Sequence, residues 1–168
     1  MIEHSCLSIG PWSSEGDAPP VRTVRAADTL EMLGIVRASR GQSRLWRRLW
    51  SSTEGLELCE TADLALVMSI HPSRISRGVW IVRECDQNEV GRLRGDDLLD
   101  PWNQPFAFRQ VDADGHWRLQ EVGGRLYASG TALIAADDTI AFADPQISNP
   151  FLRMLVFASF LLLRPPRK

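Results

Sequence analysis

A chain of 168 residues with 44% hydrophobic and 24% charged residues carries enough apolar material for one domain with a substantial core, which excludes wholesale disorder and a fibrous class. A net charge of −2 gives no global attraction to nucleic acid. Three cysteines without a close pair, Cys6, Cys59 and Cys85, signal neither a disulfide framework nor a metal knuckle, so the expected setting is the reducing cytoplasm, with no cofactor and no metal.

Residues 1 to 20 are dense in breakers (Gly10, Pro11, Gly16, Pro19, Pro20) and hold Glu3, Glu15 and Asp17 where a secretory signal would be basic and then apolar. They are expected to form a flexible N-terminal arm preceding a single domain over 21–168. Asp28-Thr29-Leu30-Glu31 resembles a capping box, and Leu30, Leu33 and Val36 follow at helical spacing, which predicts a short helix ending near Ser39. Gly34 works against that helix.

Beyond Gly55 the pattern turns to β. Leu56–Glu60 alternates apolar and charged residues, and Leu64–Ile70 is an apolar run bounded by His71-Pro72. Val79–Glu84 and Glu89–Leu93 flank the turn Asp86-Gln87-Asn88. Phe106–Val111 and His116–Val122 flank Asp112-Ala113-Asp114-Gly115, whose Asp-Gly supplies the backbone angles of a tight turn. Arg125–Ser129, Ala132–Ala135 and Thr139–Phe142 continue the series, giving eight or nine strands at nearly regular intervals, the mark of a mainly β sandwich or barrel of short antiparallel hairpins. Ser148-Asn149-Pro150 then starts a helix over about 150–163, stopped by Arg164-Pro165-Pro166. It is apolar on every face from Met154 to Leu163, so protein or lipid must surround it. At about 21 Å against a bilayer core of roughly 30 Å, burial in the β-structure is expected over a membrane span, the alternative being a short inserted tail bracketed by Arg153 and the terminal basic residues.

The order of these elements resembles the tubby-like barrel, in its scramblase and LURP-one-related branch. The resemblance is carried by Val79-Trp80-Ile81-Val82, Asp86 and Val90-Gly91-Arg92-Leu93, and by Phe142 followed by Asn149-Pro150-Phe151-Leu152-Arg153-Met154 and the closing apolar helix. It implies about twelve strands around a central helix, so further strands within 21–56 are the rival of the short helix. It also implies a non-enzymatic binding or scaffold role, since relatives in that superfamily bind phosphoinositide headgroups or are associated with lipid movement.

Charge is unevenly spread. Five arginines and no acid occur from Arg37 to Arg48, against nine acids and three arginines from Asp96 to Asp144. The densest functional candidate is Arg44, Trp46, Arg47, Arg48 and Trp50, where guanidinium groups suit phosphates and indoles suit a lipid interface. The expected partner is an anionic membrane surface, the protein being cytoplasmic and peripheral. The competing account has the tryptophans packed and the arginines paired with the acidic half. Two other function classes stay open: a protein-interaction module using a sheet edge or the acidic loop Asp96, Asp97, Asp100, and an enzyme assembled around His71 or His116 with Cys59, Cys85 or a carboxylate. Asp112 and Asp114, with Glu121 beyond them, invite a calcium site but lack the ligands and flanking helices of an EF-hand, so a hairpin turn is expected there. No HExxH, GxSxG or glycine-rich phosphate loop occurs.

Overall fold

The computed structural model describes residues 4–13, 20–39, 55–61, 63–131, 137–143 and 149–163. Among these residues, twelve strands form a closed antiparallel barrel and one helix follows them. The strands are β1 (Cys6–Ile9), β2 (Val21–Ala26), β3 (Met32–Ala38), β4 (Leu56–Glu60), β5 (Leu66–Pro72) and β6 (Val79–Glu84), then β7 (Glu89–Arg94), β8 (Asp97–Leu99), β9 (Pro105–Val111), β10 (His116–Glu121), β11 (Leu126–Thr131) and β12 (Asp138–Phe142). Helix α1 spans Pro150–Leu161. Each strand pairs with its sequence neighbours, and β1 closes the ring by pairing with both β12 and β2. Closure removes the exposed edges that an open sheet would present. Register shifts in β2, β4, β6, β8 and β10 supply the extra local twist that bends the sheet into a ring.

Alternation along the strands decides which side chains fill the ring. Val24 and Ala26 of β2, Val36 and Ala38 of β3, and Trp117 and Leu119 of β10 point inward and are buried. At the centre lies α1, buried continuously from Arg153 to Leu161, and its side chains and those of the strands form one contiguous core. Phe160 packs on Trp117 with ring centroids 5.4 Å apart. At Gly91 a Cβ would lie 2.6 Å from the Leu99 carbonyl and 3.0 Å from Leu155 Cδ1, so only glycine lets the helix come this close to β7. The helix starts as its sequence predicts: the Asn149 side chain accepts from the N–H groups of Phe151 and Leu152, and Pro150 takes a position whose N–H needs no partner. Its far end is tied to the wall by Arg109, which donates to the Ser159 carbonyl at 2.6 Å.

Three expectations are corrected. The short helix before Ser39 is absent, because Asp28-Thr29-Leu30-Glu31 is the turn between β2 and β3. Asp28 Oδ1 accepts from the Thr29 N–H, Thr29 Oγ1 from the Glu31 N–H, and Leu30 takes φ 58°. The residues that mimic a capping box thus bind nearby backbone N–H groups in a turn instead. The stretch assigned to a flexible arm contributes a wall strand: Cys6–Ile9 is β1, with Leu7 and Ile9 fully buried. Asp97–Leu99, expected in a loop, is β8. The strand expected at Ala132–Ala135 lies outside the described residues. Among the described residues no helix is long and apolar enough to cross a membrane. Arg153, which would flank an inserted tail, is instead buried over the Phe142 ring at 4.8 Å, donating to the His4 carbonyl at 3.3 Å.

Candidate functional site

In an up-and-down barrel the connections alternate between two ends, so chain order assigns each to one of them. The odd-numbered strands end, and the even-numbered strands begin, at the upper end, where the described β5–β6, β7–β8 and β9–β10 turns lie; the β2–β3, β4–β5, β6–β7, β8–β9 and β10–β11 turns and the start of α1 lie at the lower. Arg44, Trp46, Arg47, Arg48 and Trp50 lie outside the described residues. The neck of the segment that carries them is described: the Ser39 N–H donates to the Gly55 carbonyl at 2.7 Å at the upper end, between β3 and β4. Gly55 is pressed against β5, where a Cβ would come within 2.4 Å of His71 Nδ1 and 2.6 Å of the Ile70 carbonyl.

The next upper connection, 73–78, joins β5 to β6 and is built locally. Ser73 Oγ accepts from the N–H groups of Ile75 and Ser76, the Ser73 N–H donates to the Val79 carbonyl, and Gly78 adopts φ 75°. This fixed turn holds Ile75 out to solvent, 97% exposed, between the exposed arginines Arg74 and Arg77. Further round the same end the connections are acidic. Asp96 sits in the β7–β8 turn, bound by Arg109 at 2.8 Å, and Asp112 and Asp114 sit in the β9–β10 turn. Asp112, Asp114 and His116 present ligand atoms within 4.8 Å of one another and are all exposed. Asp112 Oδ1 accepts from the N–H groups of Asp114 and His116, so the turn itself accounts for this cluster.

At the lower end a cleft of about 600 Å³ opens beside the first turn of α1. Glu84, Asn88 and Glu89 border it from the β6–β7 hairpin, Asp100 and Trp102 from the β8–β9 turn, and Phe151 and Leu152 from the helix. Phe106 and Tyr127 form its floor, ring edge against ring face, with centroids 6.4 Å apart. Burial first, and then the neighbouring Glu121, raises the pKa of Tyr127, which remains an uncharged phenol.

No protein-family model matches the chain, and no curated protein or solved structure is significantly similar to it.

The histidines and cysteines considered for nucleophilic chemistry are not assembled. Cys59 on β4 faces Leu66, whereas His71, next to last in β5, lies opposite Gly55, four residues along the strand or roughly 13 Å away. Burial raises the Cys59 pKa more strongly than Arg37 lowers it, which keeps the thiol protonated. Cys85 lies in a lower turn, at the other end from His71. His116 pairs with the exposed Asp112, at 3.4 Å.

Burial lowers the pKa of His71; Glu57 opposes the shift, and Arg83 and Arg74 reinforce it. With the folded value below the unfolded one, the unfolded chain takes the proton first as pH falls. This contribution to stability is therefore complete above the ordinary value of 6.5 and is lost on acidification through and below it. The melting temperature should drop between about pH 7 and pH 5, and the His71→Gln protein should show a shallower drop in the same thermal titration. Parallel curves for the two proteins would exclude His71 as the source.

Proposed function

We propose that the protein is a non-enzymatic binding domain of the tubby-like type that docks peripherally on anionic membrane surfaces through the β3–β6 side of its upper end. The family assignment is supported by the element order, since twelve strands close around one C-terminal helix as the resemblance implies. The observation that carries the docking is the rigid turn exposing Ile75 between Arg74 and Arg77, next to the neck of the segment bearing Arg44, Trp46, Arg47, Arg48 and Trp50.

An exposed isoleucine gains roughly 1.5–3 kcal/mol on full burial in an apolar phase. Each arginine near an anionic leaflet contributes about 1 kcal/mol, an attraction that salt screens. The turn 73–78 combines both terms. The acidic turns at β7–β8 and β9–β10 would be repelled by the same leaflet, so the barrel tilts its β3–β6 side toward it.

The test is flotation with phosphatidylcholine vesicles, with and without phosphatidylserine. The protein should float with anionic vesicles at low salt and stay behind with neutral ones. Arg74→Glu/Arg77→Glu should weaken binding at least about thirtyfold, from two contributions of about 1 kcal/mol each. Ile75→Asp should weaken it further, and Arg47→Glu/Arg48→Glu should remove it, with melting temperature unchanged for the exposed turn variants. If both double variants float as well as the parent, the upper end does not recognise lipid.

A further inference from the structure

The lower cleft has a chemistry opposite to that of the upper turn and does not depend on membrane docking. Its walls supply carboxylates and aromatic faces, and among the described residues no lysine or arginine lines it. Glu89 is matched by Arg92, whose Nε lies 2.6 Å from its Oε1. Glu84 accepts from the Asn88 amide at 2.5 Å and Asp100 from the Gln104 backbone N–H at 2.8 Å. Neither of these two carboxylates faces a cation among the described residues. Two carboxylates that form no ion pair among the described residues thus border an aromatic floor, the nearest guanidinium groups being spent on the Gln87 carbonyl (Arg83) and on Asn103 Oδ1 (Arg94). The start of α1 carries about half a positive charge, and two of its first N–H groups, those of Phe151 and Leu152, are already engaged by the Asn149 cap.

Trp102 is the second element. It is 81% exposed, yet it stands on a turn fixed at several points. The Asn103 N–H donates to the Asp100 carbonyl at 3.0 Å, the Asp100 N–H to the Gln104 carbonyl at 3.0 Å, and the Arg94 guanidinium to Asn103 Oδ1 at 3.0 Å. A turn fixed in this way presents the indole to water at no further cost in backbone freedom when a ligand covers it. With Phe151, 44% exposed at the rim, and the Phe106–Tyr127 floor, it offers π-faces around a volume in the ordinary range for small-molecule sites. Aromatic faces next to carboxylates attract alkylammonium groups through the ring quadrupole and through charge.

We infer that the lower cleft is a binding site for a small, water-borne organic ammonium cation with an apolar substituent. The ammonium group sits between Glu84, Asp100 and Trp102, and the substituent rests on Phe106 and Tyr127. An organic anion is rejected by the same carboxylates, and an uncharged analogue gains only the floor contacts.

The probe is benzyltrimethylammonium added to the full-length protein, followed by the indole N–H resonances in heteronuclear NMR and by calorimetry. Benzyl alcohol and benzoate serve as neutral and anionic counterparts. A saturable shift of the Trp102 indole signal is expected, with at least about tenfold weaker binding in Trp102→Ala and in Glu84→Gln/Asp100→Asn. The second pair of substitutions keeps the hydrogen-bonding oxygens and removes only charge, so the fold is preserved while the attraction is lost. No saturable shift up to ~10 mM of the cation, equal binding of benzyl alcohol or benzoate, or parent-like affinity in both variants would each overturn the assignment. Retention on pure phosphatidylcholine vesicles that disappears in Trp102→Ala would also overturn it, by making a lipid headgroup the source of the ammonium group.

Discussion

Replacing Arg22 by methionine should lower the stability of the barrel by about 3–5 kcal/mol, the cost of stranding a buried charge without its partner. Arg22 is 2% exposed and Asp138 likewise 2%; the guanidinium meets Asp138 Oδ2 at 2.5 Å. It also donates to the carbonyls of Gly10 at 2.6 Å and Ile9 at 3.2 Å, and it lies over the rings of Trp12 and Phe160 at 5.7 and 6.0 Å. One side chain therefore binds the end of β1, the start of β12 and the interior helix, at the seam where the first and last strands close the ring. Methionine removes the charge and the donors but keeps much of the length, which leaves Asp138 without its cation and takes the Arg22 donor from the Gly10 carbonyl. Chemical denaturation of Arg22→Met, Asp138→Leu and the double variant measures the effect. The double variant should be more stable than Arg22→Met, because the lone carboxylate is then gone, yet short of the parent, because the Gly10 carbonyl has lost its donor. A loss below 1 kcal/mol in the single variant would mean that the seam does not depend on this pair.

That seam also shows where the sequence stops being informative. The hairpins from Val79 to Arg94 and from Pro105 to Glu121 are legible because period-two alternation and local turn chemistry agree, and the helix is legible because Asn149-Pro150 marks its start. β1 has four residues followed by Gly10-Pro11. It is a strand only because it is flanked by β12, about 130 residues later, and by β2, and no local pattern encodes pairing at that range. The β2–β3 turn misleads because Asp and Thr satisfy nearby N–H groups equally well at a helix start and in a turn; the alternation of Gly34, Val36 and Ala38 decides for the strand. β8 is three residues long, too short for any periodicity to register.

The sites divide in the same way. Arg74 and Arg77 are visible in the sequence, but a lone isoleucine between them means nothing until its exposure is known, since single apolar residues on surfaces are ordinary. The cleft combines Glu84, Asp100, Tyr127 and Phe151, from four different elements, and only ring closure brings them together. Trp102 could have been suspected as a large aromatic in a turn rich in Asp, Pro and Asn, but its neighbours could not.

The interior helix carries the largest expected effect. Met154, Leu155, Val156, Phe157, Phe160 and Leu161 are all buried, and at roughly 1.5–3 kcal/mol for each such side chain they contribute on the order of 10 kcal/mol, as much as the net stability of a typical domain. A twelve-stranded ring without them encloses a space that its own inward side chains do not fill, and such a cavity has no compensating contacts. A chain ending at Ser148 should therefore show no cooperative thermal transition, and Phe157→Ala alone, at a fully buried position, should cost about 3–5 kcal/mol. The contrast with Phe151→Ala separates interior packing from loss of helix propensity. Phe151 lies in the first turn of the same helix but is 44% exposed at the cleft, so its removal should change stability by less than about 1 kcal/mol. Denaturation curves for the two alanine variants give the comparison: equal losses would place the stabilising role in helix formation itself, whereas a loss confined to Phe157 places it in the filling of the barrel.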